Sequence, residues 1–511
     1  MKFLHGVEVI EVDSGPRPIR TANTSVIGVV GTAPDAASDT KATAALGSTA
    51  LNTALVATAV KAGVLGNAAT IELVDPASNS ATLSVATNGD AVTVNLATDE
   101  SGIITSTAAE VLTAIDGDVD ASAVLSVAHA TGSDSSGVVK PSRGAQALSG
   151  GADEPFPLNT PVLVAGSRAE AAKLDAVGLG KGTLPAALEG ILDQIGAVVV
   201  VVRVDAGEDD TEALANVVGG VNATSGNLEG VHALLGAEVA LGFAPRILCA
   251  PGWTHQKDED AANAVVAELE GIAERLRGII VADGPNSTDT DAITYASDWG
   301  ASGRVYVVDP WVKVLNLATG ETVDEPASAR VAGVIARTDN DRGFWHSPSN
   351  KGIFGIVGTA RPVDFKLGDA ASRANLLNEN DVATIIRQDG YRLWGDRVPT
   401  GDQKWQFISV RRIADAIHES LQRQHLWAVD RNITKTYLED VADGVNGYIG
   451  QLVERGALLG GRCYPDPDLN TPTAIQEGKV YFNFEFTPPY PAEHVTFRSH
   501  LVTTYITEAL S

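Results

Sequence analysis

Several short patterns in this sequence hold residue types that do chemistry elsewhere. Gly178-Leu179-Gly180-Lys181-Gly182-Thr183 sets a lysine among glycines, as in a loop that cradles phosphate with backbone N–H groups. The four-residue spacer before the Gly-Lys pair is missing, and Gly182 stands where a magnesium-binding hydroxyl belongs. A glycine-rich turn ending at a helix cap, Thr183, accounts for the pattern. Gly28-Val29-Val30-Gly31 lacks the third glycine of a dinucleotide fingerprint and reads as a strand running into a loop. His418 and His425 lie seven residues apart on one expected helix, too far to share a metal ion, with no cysteine or carboxylate at zinc-ligand spacing. Cys249 closes an apolar run without a partner base and behaves as a small apolar residue. Asp283 and Asp309 fall at expected strand ends, where α/β enzymes place catalytic groups, but acids there also cap turns. No catalytic, cofactor or metal set assembles, so the expectation is a non-enzymatic protein without a cofactor.

The elements around these residues alternate. Pro161–Ala165, Val198–Val204, Arg246–Ala250, Gly278–Val281 and Arg304–Val308 read as strands, the second apolar throughout as if buried on both faces. Between them fall helical periods: one capped by Ser167 with Glu170, one opened by Thr183, and a long one over Asp258–Arg277. Strand and helix in turn predict helices on a mostly parallel sheet. Further on, Phe407–Val410 reads as a strand leading into a helix over Arg411–Leu426, followed by a helix over Thr434–Arg455. Lys479–Phe486 alternates, with Val480, Phe482, Phe484 and Phe486 on one face. The ends are β-favouring: Gly6–Val12 before Gly15-Pro16, and His494–Ile506 after Pro488-Pro489-Tyr490-Pro491.

From Asp35 to Pro155 there is no aromatic residue, and 14 acidic side chains stand against 4 basic ones. So sharp a shift predicts a small inserted domain with a core of Ala, Val, Leu and Ile. Within it Asn88-Gly89-Asp90 marks a hairpin turn, and Ser106 is expected to cap a helix reaching Ile115. The whole chain of 511 residues implies roughly three domains. A net charge of −27 repels nucleic acid and anionic lipid, so neither direct nucleic-acid binding nor membrane insertion is expected. Two cysteines exclude a disulfide framework and point to a reducing compartment. No leader pattern is read at Met1–Ser25, and the most apolar run, Ala197–Val202, is too short to span a bilayer, so a soluble, unsecreted protein is expected.

Read as ordered phrases, the chain resembles the contractile phage tail sheath family. The phrases are Thr24–Pro34, Gly182–Leu188, Val201–Val204, Ile247–Trp253 and Val281–Pro285, then Pro326–Gly358 with Val331–Asp339 and Gly343–Gly352, then Trp394–Arg397 and Trp405–Arg412. They cover nearly everything outside residues 35–156, and that segment is looser in its likeness to a small domain of other phage tail proteins. The resemblance implies a structural subunit that polymerises as stacked hexameric rings around a tail tube. It implies contraction that drives the tube through the host envelope, with the tube protein, baseplate and tail terminator as partners. It also implies a place in the virion tail after assembly in the host cytoplasm.

The expected fold is α/β with an α+β C-terminal part: mixed sheets, helices on their faces, extended β arms and a β-rich insertion. The expected divisions are an N-terminal arm 1–22, a main domain 23–34 with 157–370, the insertion 35–156, a C-terminal domain 371–490 and an arm 491–511. A sleeve whose subunits slide needs connections that survive rotation, and strands donated to neighbours meet that need. Val7, Val9, Ile10 and Val12 are the candidate contacts of one arm, and Val495, Phe497, Leu501 and Tyr505 of the other. Residues 387–435 carry nine basic and six acidic side chains in this acidic chain, so Arg411, Arg412 and Arg423 are expected to face an acidic tube. The competing readings are the sheath of a DNA-free phage-derived particle, an uncharacterised α/β enzyme, and a secreted adhesin or surface-layer protein, against which the missing leader argues.

Overall fold

The computed structural model describes residues 19–257, 261–316, 319–503, 505, 506 and 509. Val7, Val9, Ile10 and Val12 therefore lie outside the described residues. The chain forms two compact units. One holds the described residues up to Pro34, Leu158–Ala172 and those from Leu179 on; the other holds Asp35–Pro157 with Lys173–Gly178.

The larger unit is built on a nine-stranded mixed sheet. Six central strands run parallel in the order Val382–Arg387, Val305–Val308, Ile279–Asp283, Ile247–Cys249, Ile27–Thr32 and Val198–Val204. Antiparallel strands flank them: Pro161–Ala165 beside Val198–Val204 at one edge, and Tyr391–Trp394 beside Val382–Arg387 with Lys351–Gly352 outermost at the other. Ile27–Thr32 is buried at every position, as its unbroken apolar run requires of a strand covered on both faces. Val30, Val202, Leu248 and Ile280 pack with Val265, Val266 and Leu269 of the helix Ala264–Leu276. The helix Ser328–Arg342 lies against Ile27–Thr32, Ile247–Cys249 and Ile279–Asp283. The fold class is thus mixed α/β. Val382–Arg387 and Tyr391–Trp394 belong to the main sheet, so a division at residue 371 cuts through it.

Phe407–Val410 is not a strand. Ile408–Gln424 is one helix, and Ile408, Ser409 and Val410 form its first turn. Buried Ile408, Ile413, Ala416 and Ile417 continue a helical period that outweighs the β-branched start. The helix Lys435–Glu454 follows, its first turn capped by Thr434 accepting from Tyr437 N at 3.1 Å. Against both helices lies a two-stranded antiparallel sheet, Gly460–Pro465 with Phe482–Thr487.

The smaller unit has a three-stranded sheet (Lys41–Leu46, Leu55–Ala62, Leu125–His129) and a four-stranded one containing Thr70–Val74, Ser84–Asn88, Ala91–Asn95 and Gln146–Ala147. Asn88 faces Ala91 across the turn Gly89-Asp90, where Gly89 has φ +61°. Its core contains Leu55, Ile71, Val94, Val111, Ile115 and Leu125. The helix Ala108–Gly117 is capped by Thr107, in a reciprocal box with Glu110, rather than by Ser106. Ser106 Oγ instead accepts from Ala97 N at 2.7 Å.

Candidate functional site

The strand-end acids serve the fold. Asp283 is fully buried and accepts from Ser328 N at 2.7 Å and Ser328 Oγ at 2.5 Å, which ties the start of the Ser328–Arg342 helix to the sheet. Asp309 accepts from Asn286 N at 2.8 Å and pairs with Arg361. Cys249 is buried, and burial pushes its thiol well up, away from reactive thiolate. His418 packs edge-on to Phe484, with ring centroids 5.7 Å apart, and His425 Nδ1 lies 2.6 Å from Leu421 O. No group of three or more metal-ligating side chains occurs among the described residues. Thr183 Oγ1 accepts from Thr32 N at 3.2 Å, so the glycine-rich turn ends in a tie to the first sheet strand.

The Ile408–Gln424 helix instead gathers residues 19–22 and the segment from Tyr490 to Glu493 around it. Ile413 and Ile417 pack with Val445, Tyr448, Ile449 and Leu452 of the next helix, and Ile19 joins this core. Tyr448 Oη donates to Thr21 Oγ1 at 3.2 Å, and Ala22 N donates to Ser420 Oγ at 2.9 Å. Residues 19–22 are therefore fastened along this helix and the next. The other end leaves beside its start: Tyr490 packs on Phe407, and Arg397 grips Glu493 through two bonds of 2.8 and 2.7 Å.

Beyond that grip the described residues make no strand. Residues 491–503 have no helix or ladder, yet Val495, Phe497, Leu501 and Tyr505 are 63, 92, 101 and 69% exposed. Val502 and Ile506 are exposed as well. A strand needs a partner ladder, and the isolated chain supplies none here, so the expected β arm is an unpaired, apolar segment. The two-stranded sheet nearby is also short of neighbours: no further strand among the described residues pairs with its outer edges.

The three arginines expected on one face are split. Arg412 is buried, donating to Asp339 Oδ1 at 2.6 Å and to Thr24 O at 3.1 Å, and it pairs with Asp339 Oδ2. It is a core ion-pair residue, not a surface cation. Arg411 is half-buried over the Trp405 ring, 4.2 Å from its centroid. Arg423 is exposed but bonded to Glu419 at 2.5 Å and to Glu238. Glu419 also pairs with Arg246 at 2.7 Å and Arg277 at 3.3 Å. Burial opposes its charge, but these cations outweigh burial and hold its carboxyl below the usual range. Exposed charge collects just past the helix, where Arg423 and Arg431 flank a segment with Leu426 and Val429 exposed and exposed Lys435 follows. Sequence reasoning missed the Gly460–Pro465 strand, the Arg397–Glu493 grip and the Asp339 partner of Arg412. The alternation Arg462-Cys463-Tyr464, opposite the Glu485 it bonds, was the available signal for the first.

Three family models match in order: the domain III N-terminal region of a tail sheath protein over 144–204, the phage tail sheath protein central domain over 226–398, and the phage tail sheath C-terminal domain over 400–501. A putative prophage major tail sheath protein of Pseudomonas aeruginosa is 44% identical over 69% of this chain and 88% of its own length. The chain belongs to the phage tail sheath family. The tail sheath protein of Escherichia phage P2 is 32% identical over the same shares. That of Burkholderia phage BcepMu is 29% identical over 99% of this chain and 98% of its own, so its match to this sheath protein spans the insertion. In fold the sheath chain resembles a chain of the anti-feeding prophage baseplate (TM-score 0.52, 21% identity, 68% of this chain and 90% of that one). It also resembles one in the PVC sheath complex of an extracellular contractile injection system in its contracted state (TM-score 0.52, 17% identity, 69% and 89%). The family is a structural tail sheath, a component of the virion tail.

Proposed function

We propose that this chain polymerises as stacked hexameric rings around a tail tube and contracts to drive the tube through the host envelope. It acts mechanically and not as an enzyme, and the baseplate, tube and terminator proteins are its partners. Assembly takes place in the host cytoplasm. The observation that carries this reading is the C-terminal arm: large apolar side chains almost fully exposed on a segment without a ladder, held to the body at Arg397–Glu493. Such a segment gains by entering a neighbour's sheet, where backbone bonds form and the side chains leave water. The acceptor is the two-stranded sheet of Gly460–Pro465 and Phe482–Thr487, since a lone pair of strands is marginal and has bare edges. Donation from one copy to the next is heterologous and generates a ring or a helix.

The linkers between arm and body absorb the rotation of contraction while the donated strands stay paired. Energy comes from added contact in the short form: at about 25 cal/mol per Å2, a few hundred Å2 gives several kcal/mol per subunit without nucleotide. The tube-facing surface is the segment around Leu426–Lys435 with Arg423, whose exposed cations meet an acidic tube. Screened pairs of this kind are individually weak, which suits a contact that must release. The same subunit chemistry serves a DNA-free contractile particle, and the two fold likenesses are to particles named as an anti-feeding prophage and an injection system.

Truncation after Pro491 tests the reading. In negative-stain microscopy the full chain forms rings or sleeves, and the truncated chain stays a folded monomer. Sleeves from the truncated chain overturn strand donation.

A further inference from the structure

The inserted unit carries a groove and a knob that match each other. The groove, about 530 Å3, is lined by Leu46, Leu55, Leu73 and Val139, with exposed Leu51 and Val138 at its mouth. Lys140 and Arg143 stand exposed on its rim. Residues 35–155 hold only four basic side chains, so two of them gather at this groove. Lys61, by contrast, is paired with Asp90 at 2.8 Å. Lys140 and Arg143 make no ion pair among the described residues.

The knob is Val119, 83% exposed at the first turn of the short helix Val119–Val124 and flanked by Asp116, Asp118 and Asp120. An apolar tip ringed by carboxylates is the complement of an apolar floor rimmed by cations. The two features cannot meet within one copy. Val138, at the groove mouth, bridges to Thr107, the cap of Ala108–Gly117, whereas Val119 lies just past the other end of that helix. Ten residues of helix separate them by about 15 Å.

We propose that the inserted unit docks head to tail on the inserted unit of a second copy, Val119 entering the groove and Asp116 and Asp120 meeting Lys140 and Arg143. Two different patches on one chain make a heterologous contact, which repeats from copy to copy. A single knob buries far less than the roughly 800 Å2 per partner of a stable pair, so the contact is weak alone and gains strength where copies are already held side by side.

Disulfide trapping of the full chain tests this, because oxidation accumulates weak encounters. The native Cys249 and Cys463 are buried and stay silent. The L51C/V119C double variant, oxidised at high concentration, is expected to give a ladder of dimers, trimers and higher bands on a denaturing gel. L51C or V119C alone gives no ladder. D116K/D120K, which spares the capping carboxylate of Asp118, loses the ladder in the double-cysteine background, and adding K140E/R143E restores it. Circular dichroism of each variant separates lost docking from lost folding. Absence of the ladder in a folded double-cysteine variant overturns the proposal. So do equal dimers from either single variant, or a ladder indifferent to the charge reversals.

Discussion

Arg412 and Arg423 lie on one helix yet contribute very differently. The Arg412–Asp339 pair is buried, so removing one partner strands the other charge away from water, at a cost of about 3–5 kcal/mol. Arg412→Met is therefore expected to lower the thermal midpoint sharply, and Arg423→Ala, at an exposed and screened pair, to cost under about 1 kcal/mol. Equal losses in calorimetry would place Arg412 at the surface after all. Asp396 offers a second test at this scale. It is buried beside Ser347 and Ser409, and burial, which these hydroxyls only partly offset, raises it to about 8. Asp283 is raised by burial to about 6. Each folded carboxyl keeps a proton that the unfolded chain has released above its ordinary value. Stability is thus full at low pH and falls as pH rises toward the raised value. Between pH 6 and 8 the Asp396 contribution stands alone of the two. The midpoint of the parent chain should fall across that range while that of Asp396→Asn stays level and ends higher. Parallel curves for the two proteins would refute this assignment.

At the scale of elements, strand and helix alternation was legible because burial imposes it: Pro161–Ala165 and Val198–Val204 form the strands their apolar runs indicate. The hairpin at Gly89 was legible because a tight turn needs a positive φ. Ile408–Val410 misled because β-branched residues favour strands locally, whereas the packing of Ile413 and Ile417 rewards a helix. The candidate site was legible only in part. Basic residues in a row do not reveal that Asp339, 73 positions away, buries one of them. The arm shows the converse: His494–Ile506 has a β-favouring composition, but residues 491–503 form no ladder and Tyr505 and Ile506 are helical, because a strand is a property of two partners. Phe497→Asp and Leu501→Asp should therefore leave the monomer's stability within about 0.5 kcal/mol, as exposed sites do, while abolishing sleeves. Sedimentation and calorimetry on the same samples separate the two effects, and a destabilised monomer would mean that the arm folds onto its own body.

For the whole molecule, a charge of −27 on each copy opposes the packing of many copies. Raising salt shortens the Debye length from about 30 Å at 0.01 M to about 8 Å at 0.15 M, so self-assembly should need less protein as salt rises. Light scattering against concentration reads this directly, and assembly that weakens with salt would show that attractive charge pairs dominate instead. Beneath these expectations lies the claim that the C-terminal segment completes a sheet belonging to another copy. Hydrogen exchange at the backbone amides of residues 494–503 measures it most directly, in the free chain and in assembled sleeves. Fast exchange in the free chain that becomes strongly slowed on assembly is the predicted result. Equal exchange in both states, or slow exchange already in the free chain, would contradict it.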